Sequence, residues 1–332
     1  MTTTIMAKEA AEAPSIIRQQ LLNNINACIE LGEKIRQFDP AYVYMIGRGS
    51  SDHAGVFAKY LIEVEMGIPV SAAAPSVSSI YGQTLNLKRA LVIAISQSGR
   101  SPDILAQAKA AKESGALCVA LVNDETSPLA ELADCVIPLR ANKELAVAAT
   151  KSYLATLSAL LQVVGYWKQD KSILSALMTL PEALEKAVAA PSQLTAEFIA
   201  PLKHCVVLGR GFGYAISREI ALKLKEVCSV HAEAFSSAEF LHGPVTLVEK
   251  KLSVIDITVE DESANAHKEQ IAEITRRGAN VIQLNQIGSD LHPRVAALTI
   301  LQRFYLDVEK IALAQGIDPD NPAGLKKVTQ TL

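Results

Sequence analysis

Residues 94–103 read AISQSGRSPD, which sets three serines, a glutamine and a glycine between an apolar run, RALVIAI (89–95), and a helix-like segment, ILAQAKAAKESG (104–115). In an open parallel sheet, ligands bind outside the carboxyl ends of the strands. A helix N-terminus there offers free N–H groups and a partial positive charge, which favour an anion. Ser96, Gln97, Ser98 and Ser101 add side-chain donors, and Gly99 lets the backbone approach closely. Ser101 suits an N-cap and Pro102 the first helical position. A polar turn is usually only a turn. The strand, the hydroxyl-rich loop and the capped helix together read as a phosphate cradle without a lysine.

A second group lies on SREIALKLKEVC (217–228), where Glu219, Lys223 and Glu226 share one helix face. Spacing alone reads as a solvated Glu–Lys pair. The helix follows a GRG loop, however, so its first turns should sit at strand ends. Further on, HAEAFSSAEFLHGP (231–244) places His242 where a helix gives way to a loop. A lone histidine is usually structural.

These groups need elements to position them. A helical segment is expected over 15–36, after Pro14. Strands are expected at 41–47, 68–73, 89–95, 116–123 and 135–139, alternating with helices. That alternation predicts an α/β fold with parallel sheets. The second half repeats the first. KHCVVLGRG (203–211) echoes AYVYMIGRG (41–49), LSVIDIT (252–258) echoes ALVIAIS (90–96), and ITRRGANVIQLNQ (274–286) echoes AKESGALCVALVN (111–123). Gly211 follows Gly49 at the separation by which Gly278 follows Gly115, to within one residue. The pattern predicts two tandem doubly wound domains, three-layer αβα and flavodoxin-like. The expected organisation is a helical arm (1–33), a phosphate-binding domain (34–180), a helical connector (181–200) punctuated by Pro181 and Pro191, a second domain (201–317) and a tail (318–332). The loop matching the serine loop reads TVEDES (258–263). Its carboxylates would repel a phosphate, so only the first domain should bind one.

Bulk properties exclude several classes. The 332 residues are 49% hydrophobic and 20% charged, with net charge −3. There is no basic face for nucleic acid. No apolar run reaches the roughly 20 residues a membrane helix needs; YLATLSALLQVVGYW (153–167) reads as a buried helix. No secretory leader is legible at the N-terminus. The five cysteines form no CxxC pair and read as small buried hydrophobes of a reducing, cytoplasmic protein. The histidines show no metal-ligand spacing, so no metal is expected. GRGSSD (47–52) and GRGFGY (209–214) lack the third glycine of a dinucleotide fingerprint, so no nicotinamide or other cofactor is expected.

SQSG, VAATKSY (147–153), GRG, ALKLKEV (221–227), HAEAF (231–235), E-F-L-HGP (239–244) and LKK (325–327) stand in one order along nearly the whole chain. In this the sequence resembles the sugar isomerase (SIS) family, and within it the isomerase half of the glucosamine-6-phosphate synthases. MAKEAAEAP (6–14) resembles the segment that opens that half, so no glutaminase domain is expected. Arg100 and Ala149 depart from the synthase pattern, which has an acidic residue and a serine there. The resemblance implies a stand-alone aminosugar-phosphate deaminase/isomerase, converting glucosamine-6-phosphate and water to fructose-6-phosphate and ammonia. It implies that Ser51, Ser96, Gln97, Ser98 and Ser101 hold the phosphate. Gly49, Ser50 and the backbone of Val147, Ala148 and Ala149 would hold the sugar. Glu226 would move the proton between C1 and C2, and Lys223 would stabilise the enediol-like charge. His242, supplied by the other subunit of a homodimer, would assist ring opening. Lys327 would engage the open-chain carbonyl or cover the site. Three alternatives remain open: a galactosamine-6-phosphate deaminase or a fructosamine-6-phosphate deglycase, a plain phosphosugar isomerase, and a non-catalytic sugar-phosphate sensor. Against the sensor stand the carboxylate helix and the absence of a DNA-binding segment before the first domain.

Overall fold

The computed structural model describes residues 3–325 and 327. The chain forms two compact units, each assembled from separated stretches. One contains Ser15–Lys143 and Ser152–Met178. The other contains the stretch ending at Pro14, Glu144–Lys151 and Thr179–Lys327.

The first unit is built on a five-stranded parallel sheet of order β2-β1-β3-β4-β5. Its strands are β1 (Tyr42–Ile46), β2 (Val70–Ala72), β3 (Ala90–Ser96), β4 (Leu117–Val122) and β5 (Cys135–Pro138). The chain direction across the sheet reverses at β1/β3, which is the flavodoxin-like switch point. Every residue of β3 and β4 is buried, so both sheet faces are covered. This is why ALVIAIS and LCVALV read as continuous apolar runs rather than alternating ones. Val92, Ala94, Cys118 and Ala120 pack with Ile104 and Ala108 of α5 (Pro102–Glu113) on one face. Other helices of this unit include α3 (Ser50–Met66), α4 (Pro75–Ser79) and α6 (Pro128–Leu132).

The second unit repeats the design with four parallel strands in the order β7-β6-β8-β9. These are β6 (His204–Gly209), β7 (His231–Ser236), β8 (Ser253–Thr258) and β9 (Asn280–Asn285). The matched strands β1/β6, β3/β8 and β4/β9 occupy equivalent positions, as the repeat predicts. Its helices include α9 (Ala196–Ile199), α10 (Phe212–Cys228), α11 (Ser237–Leu241), α12 (Ala264–Arg276) and α13 (Pro293–Ala314), with a 3-10 turn at Pro244–Lys250.

The ends of the predicted helices need correction. The N-terminal segment is two helices, α1 (Ile5–Asn23) and α2 (Ile25–Phe38), and Pro14 lies inside α1 rather than before it. The Asp320 carboxylate accepts the Ile5 and Met6 N–H groups at 2.9 and 2.7 Å, and Thr4 Oγ1 accepts that of Ala7 at 3.1 Å. These acceptors satisfy the first orphan amides and start the helix early. Pro181 likewise sits within α8 (Lys171–Ala189), where buried Ile173, Leu177, Leu180, Leu184 and Ala187 continue the helical period past it. The segment 153–167 lies in α7 (Lys151–Lys168) and is almost wholly buried. Among the described residues no helix is long and apolar enough to cross a membrane.

Four of the five cysteines are buried, and Cys135 is intermediate. Burial pushes the thiols of Cys28, Cys118, Cys205 and Cys228 up to about 12, so they stay protonated.

Candidate functional site

In the five-stranded unit, two loops leave the switch point. The first, after β1, carries Gly49, Ser50 and Ser51 into α3. Gly47 is required there, because a Cβ would stand 2.8 Å from the Ser51 carbonyl. The second loop follows β3. Ser96 Oγ accepts the Gly99 N–H at 3.1 Å, Ser98 Oγ accepts that of Arg100 at 3.3 Å, and the Gln97 carbonyl accepts that of Asn123 at 3.1 Å. Gly99 has φ +63°, and a Cβ on it would lie 2.1 Å from Ser127 Oγ. The loop therefore closes tightly against the start of α6, and only glycine permits this. Ser101 takes the N-cap position and Pro102 the first turn, but the Ser101 hydroxyl makes no capping bond. The turn is held by the Ser101 carbonyl accepting from Leu105, so Ser101 is a cap by position only.

Arg48 ties the two loops together. Its Nε donates to Asp103 Oδ2, 2.7 Å away in the first turn of α5. Arg100, whose position departs from the synthase pattern, donates to Asp124 at 2.8 Å. The Thr126 hydroxyl and the Arg100 guanidinium hold the Asp124 carboxyl down at about 2. Arg48, Asp103 and Asp124 were not legible as site residues, and only the GRG repeat hinted at Arg48.

In the four-stranded unit, the face of α10 carrying Glu219, Lys223 and Glu226 is buried, contrary to the solvated reading of its spacing. Lys223 and Glu219 are 1% and 0% exposed, whereas the Glu226 side chain is 23% exposed. Lys223 Nζ makes a very short hydrogen bond to Glu226 and stands 3.4 Å from Glu219. Burial alone would lower the lysine's pKa. The Glu219 and Glu226 carboxylates outweigh it and hold the value above 10.5, so the ammonium stays charged. Tyr305 adds a 3.5 Å hydrogen bond to Glu219. The arrangement is a buried cation with one enclosed counter-ion and one carboxylate that reaches solvent. It can hold developing negative charge and move a proton.

The loop that matches the serine loop is occupied by its own contacts. Glu260 pairs with Lys268 at 2.6 Å, Asp261 accepts from Ser263, and Glu262 pairs bidentately with Arg294 at 2.7 Å. The Arg294 guanidinium holds the Glu262 carboxyl at about 2.

This unit also gathers the 144–151 strap and the tail. Lys327 Nζ donates to the Ala146 carbonyl at 2.6 Å and to Glu144 at 3.1 Å. The Val147 N–H donates to the Asp320 carbonyl at 3.1 Å. Val147 and Lys327 are therefore joined through the Ala146–Val147 peptide, and Ala148 and Ala149 follow it in the same strap. His242 is the exposed C-cap of α11, and its N–H donates to the Glu239 carbonyl at 3.0 Å. Among the described residues, no group of His, Cys, Asp and Glu side chains is placed to hold a metal.

These features belong to a known family. The SIS domain model matches residues 39–165 and 198–290, and the chain belongs to the SIS domain family. It is 32% identical over 351 aligned residues to the glutamine–fructose-6-phosphate aminotransferase (isomerizing) of Legionella pneumophila. That alignment covers 97% of the chain and 57% of the relative. The chain thus spans little more than half the length of the curated relatives it matches. Among solved structures it is similar to a candidate phosphosugar isomerase from Silicibacter pomeroyi, with TM-score 0.89, 37% identity, and coverage of 96% of this chain and 100% of that one. It is also similar to the C-terminal domain of the glucosamine–fructose-6-phosphate aminotransferase of Francisella tularensis, with TM-score 0.83, 25% identity, and coverage of 97% and 99%.

Proposed function

We propose that this chain is a phosphosugar isomerase-type enzyme acting on an aminosugar phosphate. The reaction is glucosamine-6-phosphate plus water giving fructose-6-phosphate plus ammonia. The observation that carries this reading is the buried Glu219–Lys223–Glu226 cluster, with Glu226 alone reaching solvent. A sugar-phosphate sensor needs a phosphate cradle but has no use for a desolvated cation beside a mobile-proton carboxylate. The Legionella pneumophila relative carries fructose-6-phosphate and amino transfer in its name, which supports the choice of substrate.

In this mechanism the serine loop, with Ser51, holds the phosphate, and Gly49, Ser50 and the 147–149 backbone hold the sugar. His242, from the second subunit of a homodimer, assists ring opening, and Lys327 engages the open-chain carbonyl. Glu226 takes the proton from C2 and returns it to C1. A carboxylate suits this transfer across adjacent carbons. Lys223 stabilises the charge on the enediol-like intermediate. The product carries an imine at C2. Water adds there, the C–N bond breaks, and ammonia leaves with the ketose.

The test is to incubate the protein with glucosamine-6-phosphate and follow ammonia and fructose-6-phosphate together. Equal yields support the deaminase. Turnover of galactosamine- or fructosamine-phosphate instead moves the substrate. Interconversion of an amine-free aldose and ketose phosphate leaves a plain isomerase. Binding without any turnover overturns the enzymatic reading.

A further inference from the structure

We propose that Glu9 is a positioning residue that sets the Lys327 ammonium through the 145–147 backbone. The proposal rests on the reading above that Lys327 acts at the sugar. Glu9 lies on the part of α1 that belongs to the four-stranded unit, and it is 4% exposed. Its two carboxylate oxygens accept from successive backbone amides, Leu145 N–H at 2.6 Å and Ala146 N–H at 3.1 Å. The next peptide plane, Ala146–Val147, is held by the tail. Its carbonyl accepts from Lys327 Nζ at 2.6 Å, and its N–H donates to the Asp320 carbonyl at 3.1 Å. Ala146 is thus gripped from both sides, by Glu9 through its N–H and by Lys327 through its carbonyl.

The chemistry of Glu9 matches this task. Two amide donors side by side need two acceptor oxygens, which a carboxylate supplies and a glutamine does not. Lys151 Nζ, 3.5 Å from Glu9 and 2.7 Å from Glu12, balances the buried charge. Packing of this segment is already provided by Met6, Ala10 and Ala13, all 0% exposed. A buried carboxylate adds nothing to that packing. What it adds is a fixed place for the strap, and with it the position of the Ala146 carbonyl that Lys327 meets.

The experiment is trace acetylation of the free, full-length protein with acetic anhydride. Lys327 labelling is read by peptide mass spectrometry against exposed Lys310 as internal reference. In wild type the pinned ammonium reacts slowly. Glu9→Ala is expected to raise the Lys327/Lys310 ratio about tenfold, the loss of one charged hydrogen-bond anchor, and Glu9→Gln less, because one acceptor remains. Under turnover, Glu9→Ala is expected to lower kcat about tenfold while KM moves less than about twofold. An unchanged labelling ratio in a folded variant, judged by circular dichroism, overturns the proposal. If Glu9→Ala does not fold, Glu9→Gln decides it alone. Because the ratio is read without substrate, failure of the chain to turn over any sugar phosphate sinks the proposed function and leaves this inference standing on its own result.

Discussion

The Arg48 guanidinium stands 2.7 Å from the Asp103 carboxylate, and this contact joins the loop after β1 to the first turn of α5. Asp103 is 4% exposed at its side chain and lies in the first turn of the helix, where the dipole favours a negative charge. Arg48 is half exposed, so the pair contributes more to loop geometry than to stability. Arg48→Met is expected to raise KM for a sugar phosphate by about tenfold with kcat nearly kept, because ground-state and transition-state binding weaken together. Steady-state kinetics check this; an unchanged KM would separate the two loops functionally.

Gly99 cannot carry a side chain. With φ +63° and Ser127 Oγ 2.1 Å from the site of a Cβ, Gly99→Ala is strained twice over. The expected loss is about 2–4 kcal/mol, from the positive φ and the overpacked contact. Urea denaturation would measure it. Adding Ser127→Gly should recover only the part due to the clash, and full recovery would show that backbone strain plays no role.

The α10 cluster separates catalysis from stability. Glu226→Gln is expected to lower kcat about a hundred- to ten-thousandfold, the usual range for a lost acid–base group, with little change in melting temperature. Lys223→Met leaves Glu219 buried without its cation, which is expected to cost about 3–5 kcal/mol of stability. The lysine's folded pKa is raised, so its contribution is fully present below 10.5 and is lost only as pH climbs through the higher folded value. Stability in wild type should therefore show no step from this residue at neutral pH. A titration that found one below about pH 9 would overturn the charged assignment of Lys223.

Glu262 gives the opposite pH sign. Its carboxyl is held at about 2 against an ordinary 4.5, so the Arg294 pair stabilises the fold above 4.5 and is lost as pH falls towards 2. The Glu262 side chain is 72% exposed, and solvent screening limits the contribution to about 1 kcal/mol or less. Glu262→Gln should lower the neutral plateau by up to that amount and flatten the acid limb, so that its stability curve meets the wild-type curve as pH falls towards 2. An acid limb identical to wild type would show that the pair contributes nothing.

The strands, the duplication and the serine loop were legible in the sequence because each rests on local pattern. A buried parallel strand is a continuous apolar run, and a loop that follows one announces itself by Ser, Gly and Pro. The ordered motifs carried the family and most of the candidate site residues. Burial of the Glu219 face was not legible, since the same spacing serves a solvated ion pair, and only the packing of α10 against α13 decides between them.

What the sequence by itself determined is the α/β class, the repeated strand order and the place of the serine loop between β3 and α5. What the tertiary structure decided is everything joined across long separations. Asp320 caps a helix that begins at Ile5, so α1 starts well before Pro14 rather than after it. Glu9 grips the amides at 145 and 146, and Lys327 reaches the carbonyl between them and the tail. The physical reason is the range of the forces that write the pattern. Backbone propensity and hydrophobic period act over a few residues and leave a trace in spacing. A hydrogen bond between residues hundreds of positions apart leaves none until the chain has folded.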